Sequence, residues 1–522
     1  MRATSLRALV AGPADPRLDA LAATLAEAGV VVRRLPAASD PGTVVPELLA
    51  ENARERADVV ATGLPVVAAA AAERALAGRV WAVLDRLPPP LELLRAAPPE
   101  VAAVAAAVRW VVCADEIARG LVDFRVTDAA KRTVVLPLDT PGPPLDAAVR
   151  GLLDRTFPSS PWTRRPRPLR VAVAGHALHF LAAVTEWLRG LPDVELRIDQ
   201  VRSFRRQDEE ASRELVDWAD TIVCEWASPV AAWYSRHKRA GQRLIVRLHR
   251  AELYSDWWHG IDVDAVDQVI CVSQHYARLT REVTRWPADK IVVIPNYVDS
   301  AVLDRPKLPE AELTLGMMGV VPRRKRLDLA LDLVERLRAE DPRFTLRVKS
   351  QMPWDVAWAW RDEGERAAAW EALSRLRGSP RLADGVVLDP HGADVGLWLR
   401  SVGWMLSLSD DESFHLAPAE AMASGAVPLI RPWPGSGTIY DRRWIVGPEA
   451  PAVDSDVPVA DVVEAMAGLV LRVVRERRWD ELREEARAHA LRDFDVTAVC
   501  ERFGRVLVED LSPALLPEPG PV

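Results

Sequence analysis

The sequence predicts an α/β protein built from three consecutive rounds of strand and helix, and three observations carry that reading. Short runs rich in Val, Ile and Leu alternate with stretches of helical period along the chain, the pattern of parallel strands joined by crossover helices. The rounds are set apart by the Pro/Arg-rich PSSPWTRRPRP (158–168) and by the turn that Pro295 and Asn296 shape. Rounds one and two also look like copies: residues 108–137 moved forward by 158 positions set Val111 on Val269, Cys113 on Cys271, Leu121 on Leu279 and Pro137 on Pro295 without a gap. Val on Val is what any two buried parallel strands show, so a shared fold is the firmer conclusion and duplication the further one.

Size and composition agree. A chain of 522 residues with 49% hydrophobic residues and a mean hydropathy of −0.03 exceeds one core and calls for roughly two to four domains. A net charge of −8 and a pI near 5.8 argue against general nucleic-acid binding. Cys113, Cys224, Cys271 and Cys500 lie far apart with no metal-ligand spacing, and the first three sit in strand-like runs, so they read as buried thiols of a reducing compartment. The apolar run in MRATSLRALVAGPADPRLDA breaks after a few residues and reads as a strand and not a signal peptide. VVAAAAAERALA (66–77) is too short and too charged to span a bilayer. The expectation is a cytoplasmic protein.

In order, round one reads as LRALVAG (6–12), a helix near 17–28, VVVRRL (30–35), a helix near 44–56, ADVVATG (57–63), RVWAVLD (79–85) and RWVVCAD (109–115). Round two reads as LRVAVAG (169–175), a helix to about 190, VELRIDQ (194–200), a helix near 207–218, ADTIVCEW (219–226), RLIVRLH (243–249) and DQVICVS (267–273), with Ser273 capping the next helix. Asp85 stands where round two has His249, and no charged or glycine-rich loop recurs in round one. That domain therefore reads as non-catalytic, serving acceptor docking, oligomerisation or the lining of a cleft.

Round three opens with LTLGMMGVVPRRKRLDLALDLVERL (313–337), a strand ending at Gly319, a run of four cations Arg323 to Arg326, and a helix with Leu327, Leu331 and Val334 on one face. Cations at a helix N-terminus oppose the helix dipole, so a bound diphosphate is one reason for them and a solvated basic turn the bland one. TLRVKS (345–350) is the next strand, where Lys349 is a candidate for the nucleotide. Trp354, Trp358, Trp360 and Trp370 are able to stack on a sugar or base, but their helical spacing favours core packing. VVLDPHGADVGLWL (386–399) is a strand whose loop carries His391 and Gly392.

The round is organised around DDESFHLAPAEAMASGAVPLIRPWPGSGTIY (410–440). WMLSLSD (404–410) is a strand, and the helix beyond it ends at Gly425, so Glu412 lies in the loop between them and Glu420 one to two turns into the helix. The crevice outside the carboxyl ends of parallel strands binds ligands, and helix starts there attract anions. Two acids beside an anion site fit a ligand that carries hydroxyls as well as phosphate, and a nucleotide sugar is one.

Glu412 and Glu420 with Phe414 between them, followed by EAMASGAVP, resemble the signature of retaining glycosyltransferases of the GT-B fold, family 4 type, in a bacterial cell-surface polysaccharide branch. The resemblance extends over about residues 166–510 and implies a GT-B fold, two Rossmann-like domains facing a cleft, preceded by an additional Rossmann-like domain. Its boundaries would be 1–158 for the additional domain, 166–305 for the acceptor domain, 310–490 for the donor domain and 491–522 for a helix crossing back and a frayed tail. It implies catalytic roles for Glu412, His249 and Lys325. It implies donor contacts for Glu420, Arg323, Arg324, Gly319, Ser413, Phe414, His415, Leu416, Lys349, His391 and Gly392, and acceptor or cleft positions for Gly175, His176, Arg250 and Glu252. The chain departs from the family in reading Glu412-Ser413-Phe414-His415 for E-G-F-G, Tyr297 for a glycine, and Val320 for an arginine that Arg323 or Arg324 would replace.

The reaction implied by the resemblance is a sugar transfer with retention, from a UDP- or GDP-sugar to a carbohydrate or lipid-linked acceptor, without metal or cofactor. Asp410 and Asp411 read as loop caps. Peripheral contact with the inner face of the membrane fits a lipid-linked acceptor. A non-catalytic GT-B-like component of a polysaccharide-assembly complex and a sugar-nucleotide epimerase are the alternatives.

Overall fold

A computed structural model describes residues 6–12, 14–35, 40–63, 66, 69–70, 73, 76, 79–83, 108–113, 133–158, 167–447 and 459–508. Asp85, Leu121, most of the 66–77 segment, most of the 158–168 linker and the last residues lie outside that set. The chain divides into two compact units, one of Met1–Thr156 with Gly392–Trp398 and the other of Phe157–His391 with Leu399–Val522.

Three sheets hold all the described strands, and every pairing in them is parallel. The first comprises β1 (Arg7–Ala11), β2 (Val31–Arg34), β3 (Val59–Gly63), β4 (Val80–Val83), β5 (Trp110–Cys113) and β6 (Thr133–Val135) in the order β2-β1-β3-β4-β5-β6. The second comprises β7 (Leu169–Gly175), β8 (Val194–Gln200), β9 (Thr221–Glu225), β10 (Arg243–Arg247), β11 (Gln268–Cys271) and β12 (Ile291–Val293), which repeat that order as β8-β7-β9-β10-β11-β12. β5 and β6 fall on β11 and β12 with the shift of 158 positions read from the sequence. The third comprises β13 (Thr314–Met318), β14 (Thr345–Ser350), β15 (Val386–Pro390), β16 (Trp404–Ser407) and β17 (Val427–Ile430) in the order β15-β14-β13-β16-β17. Central strands such as β3, β9 and β16 are buried along their whole length, as helices on both faces require.

Two expectations change. β6 has only three residues, too few for an apolar run to stand out, and the sequence did not mark it as a strand. The four tryptophans are not core: Trp354, Trp358, Trp360 and Trp370 are 43%, 55%, 37% and 58% exposed. Helix Ala357–Arg361 is too short to repeat a face, and helix Glu363–Gly378 turns Ala369 and Ala372 inward, which sets the neighbouring Trp370 outward. All four cysteines are buried, with no disulfide among them. Among the described residues no helix is long and apolar enough to cross a membrane.

The second and third sheets belong to one unit, and the end of the chain ties them together. Val298 bonds the backbone on either side of Asp495 (Val298 N to Phe494 O, 2.8 Å; Val496 N to Val298 O, 2.9 Å). Helix Val496–Leu507 then lays Val499, Cys500, Phe503, Val506 and Leu507 into the apolar cluster around Val171, Val173, Ile245 and Ile270. Phe503 is 2% exposed. Phe503→Ala is therefore expected to cost about 3–5 kcal/mol, read as a lowered urea midpoint, whereas alanine at the exposed Trp370 should leave the midpoint nearly unchanged.

Candidate active site

β13 and β16 are neighbours in the third sheet, so the loops at their carboxyl ends meet. After β13, Gly319 takes a left-handed φ of 78°, Arg323–Lys325 make one tight turn, and Arg326 precedes helix Leu327–Glu340. After β16, the loop through Asp410, Asp411 and Glu412 leads into helix Leu416–Ala423. Asp410 N donates to Arg324 O at 2.9 Å, which fixes one loop against the other.

Glu412 is 7% exposed. Its Oε1 accepts from Lys325 Nζ and from Ser409 Oγ (2.8 Å), and Arg324 Nη1 lies 3.2 Å away. Burial works to raise this carboxyl, but the surrounding groups outweigh it and hold it at about 2. His415 lies near as well, but burial and the Lys325 cation push its imidazole down to about 3, so it is neutral at pH 7 and the working cations are Lys325 and Arg324. Burial lowers Lys325 too, against the opposing pull of Glu412. The rest of the loop is equally charged. Asp410 pairs with Arg326 (3.0 Å) and Arg431 (2.6 Å), and Asp411 accepts from Arg250 Nε (2.6 Å). Asp410 and Asp411 are thus ion-pair partners of the site and not merely loop caps. Five cations meet three carboxylates, and positive charge remains in excess even with Asp328 counted on Arg326.

His415 holds a φ of 55°. Left-handed backbone suits glycine and strains an imidazole-bearing residue, which accounts physically for the glycine of the pattern at this position. Its Nδ1 bonds Ser407 Oγ (2.6 Å), its carbonyl accepts from Tyr440 Oη (2.7 Å), and its Nε2 is buried without a hydrogen-bond partner.

The second sheet brings its own charged group to its carboxyl edge. Glu225 ends β9 and Arg247 ends β10, opposite each other in register. Glu225 Oε1 accepts from Arg247 Nη1 and from His249 Nε2, both at 2.7 Å, and Arg247 Nη2 reaches Asn296 Oδ1. Burial would raise the Glu225 carboxyl, and Arg247 and His249 outweigh it, so the group stays below the usual carboxylate range. An ionised carboxylate only accepts, hence Nε2 of His249 carries the hydrogen and Nδ1 is the nitrogen left to other partners. The 3.4 Å approach of Arg247 Nη1 to that Nε2 sets donor against donor. Glu225 and Arg247 were not among the sequence candidates. Their signal is a charged residue closing each of two neighbouring apolar strands.

The two edges meet in three places. Arg250 of the second-sheet lobe binds Asp411 of the third-sheet lobe, Ser273 Oγ donates to Ser413 O at 3.3 Å, and His275 packs on Gly435, where an added Cβ would lie 2.5 Å from the imidazole. Lys325, Arg324, Glu412 and His415 therefore form one cluster, joined to His249 through its neighbour Arg250.

Other expected positions lie elsewhere. Arg323 N donates to the Glu365 carboxylate (2.8 and 2.9 Å) and its guanidinium lies against Gly364, so Arg324 and not Arg323 stands at Glu412. Phe414 is 1% exposed and packs on Tyr440 and Phe494, a core side chain that leaves only its backbone for a ligand. Lys349 is buried with Nζ on Pro390 O (3.1 Å). Glu252 is fully buried, capping its own helix by accepting from His249 N and tying it to the loop after β9 by accepting from Ala227 N (3.1 Å each), and does not line a surface. Gly175 is filled over: a Cβ there would meet Leu178 at 2.7 Å and Glu225 at 3.0 Å, so its smallness serves packing. His176 is exposed, with Nδ1 3.2 Å from Val201 O. Gly319, Ser413, Leu416 and Glu420 are half-buried, as is Gly392, and His391 is exposed. A cavity of about 530 Å³ opens beside the basic turn, walled by Val320, Arg323, Arg324, Arg326, Trp354 and Asp410 among others.

Comparison with known proteins gives a family for part of the chain. Residues 155–302 match the family described as Glycosyltransferase Family 4. A search of curated proteins gave no match. Among solved structures, the chain is similar to Anabaena Alr3699/HepE in complex with UDP (14% identity, 66% of this chain and 100% of that one, TM-score 0.49). It is also similar to a glycosyltransferase from Rickettsia africae (13%, 66% and 99%, 0.49) and to the pneumococcal O-GlcNAc transferase GtfA in complex with UDP and GlcNAc (18%, 58% and 59%, 0.42).

The site predicts a pH signature. Unfolded, His415 takes a proton near its usual 6.5, but folded it resists until about 3, so it withdraws stability as pH falls through that window. Glu412 adds stability above its usual 4.5 that is lost only between there and about 2. Between pH 6.5 and 4.5 only the His415 effect operates of the two, at a limit of about 1.4 kcal/mol per pH unit. His415→Gly should flatten the decline of Tm across that window relative to the native chain; parallel Tm-against-pH curves would contradict the assignment.

Proposed function

We propose that this protein transfers a sugar from a nucleotide-sugar donor to a carbohydrate or lipid-linked acceptor with retention of configuration, without a metal ion, in the assembly of a cell-surface polysaccharide. The observation that carries the reading is the contact of Glu412 with Lys325 and Arg324 inside a loop cluster that keeps an excess of positive charge. The match of residues 155–302 to Glycosyltransferase Family 4 supports it.

The leaving group of such a reaction is a nucleoside diphosphate, whose charge grows as the bond to the sugar breaks. Cations already in place, in a site with little water, stabilise that charge without reorganising. Lys325 and Arg324 supply it, and the start of helix Leu416–Ala423 adds backbone N–H groups of the same polarity. Glu412, ionised down to about pH 2, is no proton donor at neutral pH. Its role is to accept from sugar hydroxyls and to face the positive charge that develops at the anomeric carbon. His415 Nε2, buried and unpartnered, is available to the donor beside it. Glu420 takes the ribose hydroxyls of a UDP- or GDP-sugar, and His249, oriented by Glu225, faces the reacting sugar with Nδ1.

A thermal-shift screen against UDP, GDP, ADP and their sugars tests the reading, because a ligand at a hundred times its Kd stabilises by about 2.7 kcal/mol. One nucleotide series is expected to raise Tm, with the shift unaffected by EDTA. Lys325→Ala should lower turnover by about 100-fold or more, and Glu420→Ala should weaken nucleotide binding. No shift with any nucleotide, or wild-type rates in Lys325→Ala, would overturn it.

A further inference from the structure

Four consecutive strand-end loops of the second sheet each contribute a ring to one continuous aromatic surface. Phe180 follows β7, Phe204 follows β8, Trp226 follows β9, and His249 and Trp257 follow β10. The rings are in series: Trp257 and Phe204 have centroids 5.2 Å apart and tilted by 33°, Phe204 meets Trp226 edge to face at 5.1 Å, and Trp226 stacks on His249 at 4.0 Å and 27°. Phe180 closes on His249 at 5.1 Å. Phe180, Phe204, Trp226 and Trp257 are each half-buried, unlike core rings such as Trp81 and Trp404, so ring area faces solvent next to the buried His249.

Two further features show that this surface is built. Trp226 holds a φ of 77°, a left-handed conformation that is an outlier for a bulky residue and persists only where the surroundings impose it. Its indole Nε1 donates to Ala177 O at 3.3 Å, and the strained backbone is what lays the indole over the imidazole. At the far end, Phe204 lies in the run Arg202-Ser203-Phe204-Arg205-Arg206, whose three arginines are exposed, and the Arg205 guanidinium sits 5.9 Å from the Trp257 ring. Half-buried rings packed in series leave apolar edges and part-faces for the C–H groups of sugar units, while exposed guanidinium groups pair with carboxylate or phosphate in bidentate fashion. A lipid chain has no use for the arginines. A nucleic acid is disfavoured by the net charge of −8.

We infer that the acceptor is an oligosaccharide bearing acidic groups, laid along Trp257, Phe204 and Trp226 with its growing end at His249. The inference rests on the transferase reading and names its acceptor class. Trp226 is then a positioning residue for His249, and Phe204 and Trp257 hold the sugar units behind the reacting one.

The test uses the full chain, with hyaluronan tetrasaccharide and oligogalacturonate as acidic probes and chitotetraose as the neutral one, monitored by calorimetry and by tryptophan fluorescence. At least one acidic probe is expected to bind in a salt-sensitive manner. Phe204→Ala and Trp257→Ala should each weaken it by about tenfold, as should Arg205→Gln, and Trp257→Phe should recover most of the loss. The Tm shift given by the nucleotide must be unchanged in these variants, which also shows that they fold. If no nucleotide shifts the native chain, the transferase reading falls. If nucleotide binds but the acidic probes do not, or bind all variants equally, or only chitotetraose binds, the acceptor inference falls and the transferase reading stands.

Discussion

The site depends on one electrostatic constraint: a buried carboxylate, Glu412, is kept ionised by two cations that come from the neighbouring strand's loop. Taking those charges from water costs several kcal/mol per ion unless the geometry repays it, and the repayment here requires that the loops after β13 and β16 sit at contact distance. Adjacent placement of the two strands in a parallel sheet provides that. Three cations of the basic turn, Arg324, Lys325 and Arg326, are therefore half-buried in ion pairs, while Arg323 stays exposed. Arg324, Lys325 and Arg326 oppose the dipole of the helix beyond them, and together with Arg250 and Arg431 they meet Asp410, Asp411, Glu412 and Asp328, five positive charges against four negative. That leaves one positive charge of this group unmatched.

The second sheet uses a different solution at its own carboxyl edge. Glu225, Arg247 and His249 are nearly inaccessible to solvent, and one oxygen of Glu225 serves both partners while the other has no hydrogen-bond partner. Truncating Glu225 or Arg247 would strand the other as a buried charge, so the pair is fixed and holds one orientation of His249. The two lobes thus differ: one packs cations around an acid, and the other locks a single imidazole. Arg250 joins them, because the residue after His249 reaches Asp411, the residue before Glu412.

Much of this was legible in the sequence wherever local signals were strong. β7 and β8 fall on LRVAVAG and VELRIDQ to the residue, the first a nearly continuous apolar run and the second a strict apolar/polar alternation, each bounded by turns. The acid in the loop and the basic turn were legible as types and spacings, and their contact followed from strand order. Three of the residue readings that failed show why the rest was not. The side chain of Phe414 is core, since the loop needs an apolar anchor against Tyr440 and Phe494 and sequence spacing alone does not separate anchor from ligand. Glu252 looked like a cleft residue because it stands near His249, but three residues on in a helix start an acid turns back to cap the chain. Glu225 and Arg247 are hidden in apolar strands, and only the register that sets them opposite each other reveals the pair.

His415 shows how a departure from a pattern is absorbed. A glycine at a φ of 55° costs nothing in strain, whereas a side chain there must be held by its surroundings. Ser407 and Tyr440 hold this one, from the end of β16 and from beyond β17, and Trp433 in turn donates to Ser407 at 3.2 Å. The imidazole fills space beside Glu412 that a glycine would leave to water. It also keeps a neutral ring between the carboxylate and the start of helix Leu416–Ala423, where a protonated one would compete with Lys325 and Arg324 for the same acid. Burial prevents that protonation until the pH is far below neutral, so the replacement adds shape to the site without changing its charge at pH 7.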